Sequence, residues 1–137
     1  MDAQSLLNRI KTANVMAADC PSRQVLTHVT NRWGSLVMIA LTGGTQRFSG
    51  LRRQIGGVSE RMLAQTLQQL EADGLVRRVA HDVVPPHVEY SLTPLGQGAA
   101  EKVLALAVWI ETNLPEILDA RPDFSAKNHS VMAAIAV

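Results

Sequence analysis

Residues 58–76 read VSERMLAQTLQQLEADGLV, in which Arg61, Gln65 and Gln68 recur at intervals of four and three. That spacing puts all three on one side of an α-helix. Arginine offers a planar fork of donors that fits a phosphate or the edge of a guanine, and glutamine pairs in the same two-pronged way with an adenine. Ser59 stands just ahead of them, where its hydroxyl can cap the free N–H groups of a helix start, and a helix start of that kind also holds a phosphate. Glu60 follows at the positive end of the helix dipole. The chemistry available is recognition of a duplex, with Arg61 and Gln65 at base edges, Gln68 beside them and Ser59 at a phosphate. A helix face that is merely solvated has no need of forked ends, so the neighbouring segments decide between the two readings.

The charge around this stretch leans the same way, though weakly. Between Gly43 and Ala80 six arginines (Arg47, Arg52, Arg53, Arg61, Arg77, Arg78) stand against three acids, a balance of +3, while the rest of the chain has seven bases against nine acids, a balance of −2. Arg47, Ser49, Arg52, Arg77, Arg78 and His87 are the flanking groups that could position a phosphate backbone without reading sequence. Other chemistry is poorly provided for. Cys20 is the one cysteine, so no internal disulfide can form. It is either a small apolar filler or a thiol sensor: the start of a helix after Pro21 favours a thiolate there, and Asp19 opposes it. A catalytic role for Cys20 lacks an activating base, since His28 is eight residues on and no third group is evident. His28, His81, His87 and His129 are scattered without ligand spacing, so no metal and no cofactor is expected.

Helical periodicity runs through most of the chain. Leu6, Ile10, Ala13 and Ala17 mark an amphipathic helix over 3–18, which Pro21 interrupts. Val25, Leu26, Val29, Trp33, Leu36, Val37 and Ala40 predict one helix over 21–42 with a bend at Gly34, ended by Gly43-Gly44. Phe48, Leu51 and Ile55 form one face of a short helix that Ser49 is placed to cap. After the turn at Gly56-Gly57, Leu63, Leu67 and Leu70 make the buried seam of the next helix, which closes at Gly74. Two helices joined by a glycine-containing turn, the second one capped, follow the helix-turn-helix plan, and burial of the leucine seam turns Arg61, Gln65 and Gln68 outward. Leu75–Ala80 and His87–Leu92 read as strands, joined through Pro85-Pro86 into a hairpin directly after the helices, that is, a wing. Thr93-Pro94 opens a last long helix with Leu95, Ala99, Val103, Leu106 and Ile110 on one face. Leu114-Pro115 is predicted to break it, with a short further helix over 115–120. The apolar run 131–137 has no clear pattern.

These residues resemble the HxlR-type winged helix-turn-helix transcription regulators, relatives of the MarR group. The likeness runs from about Cys20 to Trp109. It rests on Cys20-Pro21, on Trp33, on RFSGLRRQIGGVSERMLAQTLQQLEADGLVRR and on VPPHVEYSLTPLG, in that order. Three positions depart from the family pattern: Gly50 replaces an acidic residue, Asn31-Arg32 a Gly-Lys pair, and His87 an arginine after the two prolines, which makes one wing charge dependent on pH. The resemblance implies a homodimer, joined through its terminal helices, that binds operator DNA and represses or activates a neighbouring gene. It also implies that an electrophile, quinone or oxidant could act through an N-terminal cysteine, here Cys20. Trp33 and Trp109 on apolar helix faces are expected to pack in the core or the dimer, the alternative being a pocket between subunits for an aromatic effector.

The expected fold is therefore mainly α with a small β-hairpin wing. It comprises an N-terminal dimerisation helix over 1–19, a winged helix-turn-helix over 20–93, C-terminal dimerisation helices over 94–120 and a tail over 121–137. A length of 137 residues with 47% apolar and 18% charged residues suits one folded domain with a genuine core. No run of about 18 apolar residues occurs, and the first residues lack the order of a secretory signal, so a cytoplasmic protein working on the nucleoid, without a membrane partner, is expected. The expected function is sequence-specific binding of double-stranded DNA at an inverted repeat, as a repressor and not as an enzyme. The rival reading is a winged-helix module that binds protein, which would call for apolar anchors on its wing and recognition helix, where arginine and glutamine stand instead.

Overall fold

A computed structural model describes residues 2–121. The elements run α1 (Ala3–Ala13), α2 (Pro21–Thr30), α3 (Arg32–Leu41), β1 (Gln46–Arg47), α4 (Phe48–Gln54), α5 (Glu60–Ala72), β2 (Val76–His81), β3 (His87–Leu92) and α6 (Pro94–Asp119). The chain divides into two compact units, one up to Val103 and one from Leu104. Apart from Arg121, the tail, including His129 and the apolar run 131–137, lies outside the described residues.

The first unit is helical with a three-stranded antiparallel sheet of order β1-β3-β2. Its core is built from the faces that periodicity marks: Val37, Met38 and Leu41 of α3, Leu51 of α4, Leu63, Leu67 and Leu70 of α5, then Leu75, Val76, Tyr90 and Ala100. The α5 seam is at most 1% exposed. Burying a leucine side chain stabilises by about 1.5–3 kcal/mol, so these three leucines fix the rotation of α5 about its own axis. Both ends of that helix are closed by local chemistry. The Ser59 Oγ accepts from the Met62 N–H at 3.1 Å. At the other end Gly74 takes φ +77, which lets the Leu75 N–H reach the Leu70 carbonyl at 3.0 Å.

Several expectations need correction. The predicted helix over 21–42 is two helices, and the break is at Asn31, not at Gly34. Asn31 is extended (φ −69, ψ 163), and its Oδ1 accepts from the Gly34 N–H at 2.7 Å, so it caps α3. Gly34 is needed for another reason: a Cβ there would lie 1.9 Å from the His28 carbonyl oxygen, so only glycine lets α3 pass so close to α2. The first helix stops at Ala13, short of the predicted 18. Ser49 lies inside α4 and does not cap it; Arg47 holds the cap position without a side-chain bond. The two-residue strand β1 was not expected. Pro115 does not end the last helix, which continues to Asp119. A proline inside a helix removes one backbone donor, and here the helix continues past it with that one bond missing.

Thr93 ties three elements together. Its hydroxyl donates to the Gly74 carbonyl at 2.6 Å and accepts from the Gly96 N–H at 2.9 Å, while its own N–H bonds the Leu75 carbonyl at 3.1 Å. The end of α5, the end of the wing and the start of α6 are thereby held at one point. His28 and Asp73 add a second tie, with Nδ1 and Oδ2 2.6 Å apart, between α2 and the end of α5.

Candidate nucleic-acid interface

With Leu63, Leu67 and Leu70 turned into the core, the opposite side of α5 belongs to Arg61, Gln65 and Gln68, and all three are exposed. No hydrogen bond or ion pair within the described residues engages their side chains. Buried Thr66 completes the inward face beside the leucines, which the spacing of leucines alone does not reveal. The edge is therefore a row of forked polar groups, three to four residues apart, on a helix whose start is capped and held by α4 across a tight turn.

The N-terminal end of α5 is charged on both sides. Arg52 Nη1 of α4 lies 2.8 Å from Glu60 Oε1, and both side chains are largely exposed. An ion pair this open is worth at most about 1 kcal/mol, so a phosphate can compete for Arg52. The pair also offsets the negative charge that Glu60 would otherwise turn toward a polyanion. Ser59 spends its acceptor on the cap and keeps its O–H as a donor.

In the sheet, Arg47 of β1 is the register partner of Glu89 and is exposed. Arg77 and Arg78 do not act together, because adjacent strand residues point to opposite faces. Arg78 lines a shallow groove with Ala64, Leu67, Gln68, Glu71 and Tyr90, between α5 and the sheet, and Arg77 points the other way. His87 is half-buried: it stacks on His81 with ring centroids 4.7 Å apart and lies 3.3 Å from Glu89. The candidate residues thus divide into an α5 edge (Ser59, Arg61, Gln65, Gln68), a flank from β1 and α4 (Arg47, Ser49, Arg52 with Glu60) and a sheet group in which Arg78 faces α5.

Cys20 sits at the start of α2 and is buried, 9% exposed. The backbone N–H of Arg23 is the main cause holding its thiol below the ordinary value of 9.0. Burial opposes this, the Ser22 backbone and hydroxyl reinforce it, and the Asp19 charge opposes it again. Among the described residues no helix is long and apolar enough to cross a membrane.

Known proteins share this arrangement. The family model described as HxlR-like helix-turn-helix matches residues 28–118. The uncharacterised HTH-type transcriptional regulator YtfH of Escherichia coli K12 is 61% identical over 126 residues, which cover 92% of this chain and all of the relative. The solved structure of ytfH from Salmonella typhimurium, assigned as a transcriptional regulator, is 63% identical, with a TM-score of 0.76 over 80% of this chain and 97% of its own. The redox regulator HypR in its oxidised form is 37% identical, with a TM-score of 0.63 over 69% of this chain and 97% of its own.

Proposed function

The chain belongs to the HxlR-like helix-turn-helix family, whose members are transcriptional regulators and not enzymes, and from that premise we propose that it binds an inverted-repeat operator as a homodimer and represses by occupying promoter DNA. One observation carries the reading: Arg61, Gln65 and Gln68 form an exposed, unpaired edge directly opposite the buried leucine seam of a capped helix. Such a helix enters a major groove by its N-terminal end, with Arg61 toward a guanine and Gln65 toward an adenine. Arg47, Arg52 and Arg78, together with the start of α5 at Ser59, hold phosphates and set the register.

The dimer is supported by apolar side chains that lie open at both ends of the chain. Leu6, Leu7 and Ile10 of α1 are 43–50% exposed. In the unit from Leu104, the α6 residues Leu104, Leu106, Val108, Trp109 and Ile110 are 39–58% exposed. Apolar surface on that scale calls for a partner, and a second copy places two recognition helices about 34 Å apart, one turn of the duplex. Residues 1–19 and 94–120 are then the dimerisation segments and 20–93 the DNA-binding part. Work of this kind places the protein in the cytoplasm, on the nucleoid.

Cys20 is the point at which an electrophile or oxidant would act. Its thiol is lowered by the start of α2, and a structural relative is a redox regulator. With one cysteine per chain, a disulfide must form with a second molecule. The protein-binding alternative is disfavoured because Arg61, Gln65 and Gln68 form the α5 edge, although Met62 of α5 and Val83 and Val84 of the 82–86 connection are exposed.

Affinity for a labelled duplex, measured by anisotropy across a salt series, tests the reading. Arg47, Arg52 and Arg78 give six phosphate contacts per dimer, so log Kd should rise with log salt with a slope of about 5. A slope near zero, or no binding to any duplex, refutes it.

A further inference from the structure

The wing holds a side-chain cluster that duplex recognition does not account for. His81 and His87 are register partners at the end of the β2–β3 ladder, and Glu89 follows His87 by two residues, on the same face of the sheet. His81 Nε2 lies 3.1 Å from one Glu89 oxygen and His87 Nε2 lies 3.3 Å from the other. The two rings stack with an interplanar angle of 24°. One ligating atom from each of the three residues falls within 4.8 Å of the others. The four histidines show no ligand spacing along the chain, and it is the cross-strand register that brings two of them together.

Hydrogen bonding alone leaves this cluster unsatisfied. The Nε2 atom of the partly exposed His81 is itself buried, and its 3.1 Å contact with the carboxylate is an ion-pair approach rather than a well-aligned hydrogen bond. A buried polar nitrogen in that state costs free energy, and native folds rarely leave one without a reason. A cation held by the three side chains would supply one. Two ligands held at about 2.0–2.1 Å from one tetrahedral ion sit about 3.3 Å from each other, close to the separations seen here between each imidazole nitrogen and the carboxylate.

We propose that His81, His87 and Glu89 form a binding site for a divalent first-row transition ion, zinc being the best match to two imidazoles and one carboxylate. Three protein ligands leave a fourth position for water or for an outside oxygen ligand. Imidazole donors select against magnesium and calcium, which prefer all-oxygen shells. A bound ion would cross-link β2 to β3 beside the 82–86 connection. It would also change a site that carries one carboxylate charge into one of net +1.

The test is zinc titration of the metal-free, tag-free full chain, followed by calorimetry and by the imidazole nitrogen resonances. One ion per chain should bind, with the Nε2 signals of His81 and His87 shifting together. His81→Gln or His87→Gln should each weaken binding by more than about 100-fold, beyond the 10–100-fold typical of groups that only support a ligand. Cys20→Ser should leave affinity unchanged, and magnesium should not bind. The wild-type resonances report on the site even if a variant folds poorly. Failure of the wild type to take up zinc in excess, or uptake that leaves the His81 and His87 signals in place, overturns the proposal. Affinity unchanged from the wild type in either histidine variant does the same.

Discussion

Replacing Arg61 by alanine separates base reading from every other role of the α5 edge. Arg61 is the second residue of the helix, exposed, and has no hydrogen bond or ion pair within the described residues. Its removal takes nothing from the core, so stability should change by no more than about 0.5 kcal/mol, and alanine's helix propensity offsets part of any loss. On DNA the loss is specific. A two-pronged arginine–guanine pair is worth about 1–3 kcal/mol of discrimination, and a symmetric operator holds two of them, so the full site loses about 2–6 kcal/mol. At about 1.4 kcal/mol per factor of ten, even the lower figure is close to 30-fold. Anisotropy against a panel of duplexes, each altered at one base pair per half-site, is the assay. The expected pattern is that Arg61→Ala binds the original operator poorly and becomes indifferent to one position in each half-site, while its discrimination elsewhere persists. A uniform loss across all sequences would mean that Arg61 touches only phosphate, and the assignment of the helix edge to base reading would be wrong.

The same structure makes three further forecasts. Arg78 faces the α5 groove and Arg77 points away from it, so Arg78→Ala should lower the salt slope of a dimer by about 2, whereas Arg77→Ala should leave it unchanged. Thr93→Val deletes a cap acceptor and a donor to the Gly74 carbonyl, each worth about 1 kcal/mol, so urea unfolding should show a loss of about 2 kcal/mol that Thr93→Ser largely restores. The Cys20 thiol is held below 9.0 in the folded chain, so the thiolate form adds stability that is present above the unfolded value and is lost as pH falls through the folded one. A pH series of thiol alkylation should accordingly show a lower midpoint for the native protein than for the protein in urea.

The positioning of the α5 edge was legible in the residues because one set of leucines fixes it. Leu63, Leu67 and Leu70 bury completely, Ser59 caps where expected, and Arg61, Gln65 and Gln68 emerge opposite. The wing was legible for a similar reason, as Val88, Tyr90 and Leu92 alternate along one strand. What escaped was what periodicity does not encode. The apolar spacing continues in phase through Asn31, and only the cap bond to Gly34 marks the break between α2 and α3. Strand β1 is two residues long and is a strand only because Gln46 and Arg47 pair with Tyr90 and Glu89. The meeting of His81, His87 and Glu89 depends on the hairpin register, which residue spacing alone leaves open. The alternation that separates Arg77 from Arg78, by contrast, follows from strand geometry once the strand is recognised.

The central claim, that α5 reads DNA as one of a symmetric pair, is tested most directly by selecting binding sites from a random duplex library with the full chain. The enriched sequences should converge on an inverted repeat whose half-sites are centred about 10–10.5 base pairs apart, or a multiple of that. A pool that remains random after repeated selection, or one that converges on a single unrepeated site, would contradict it.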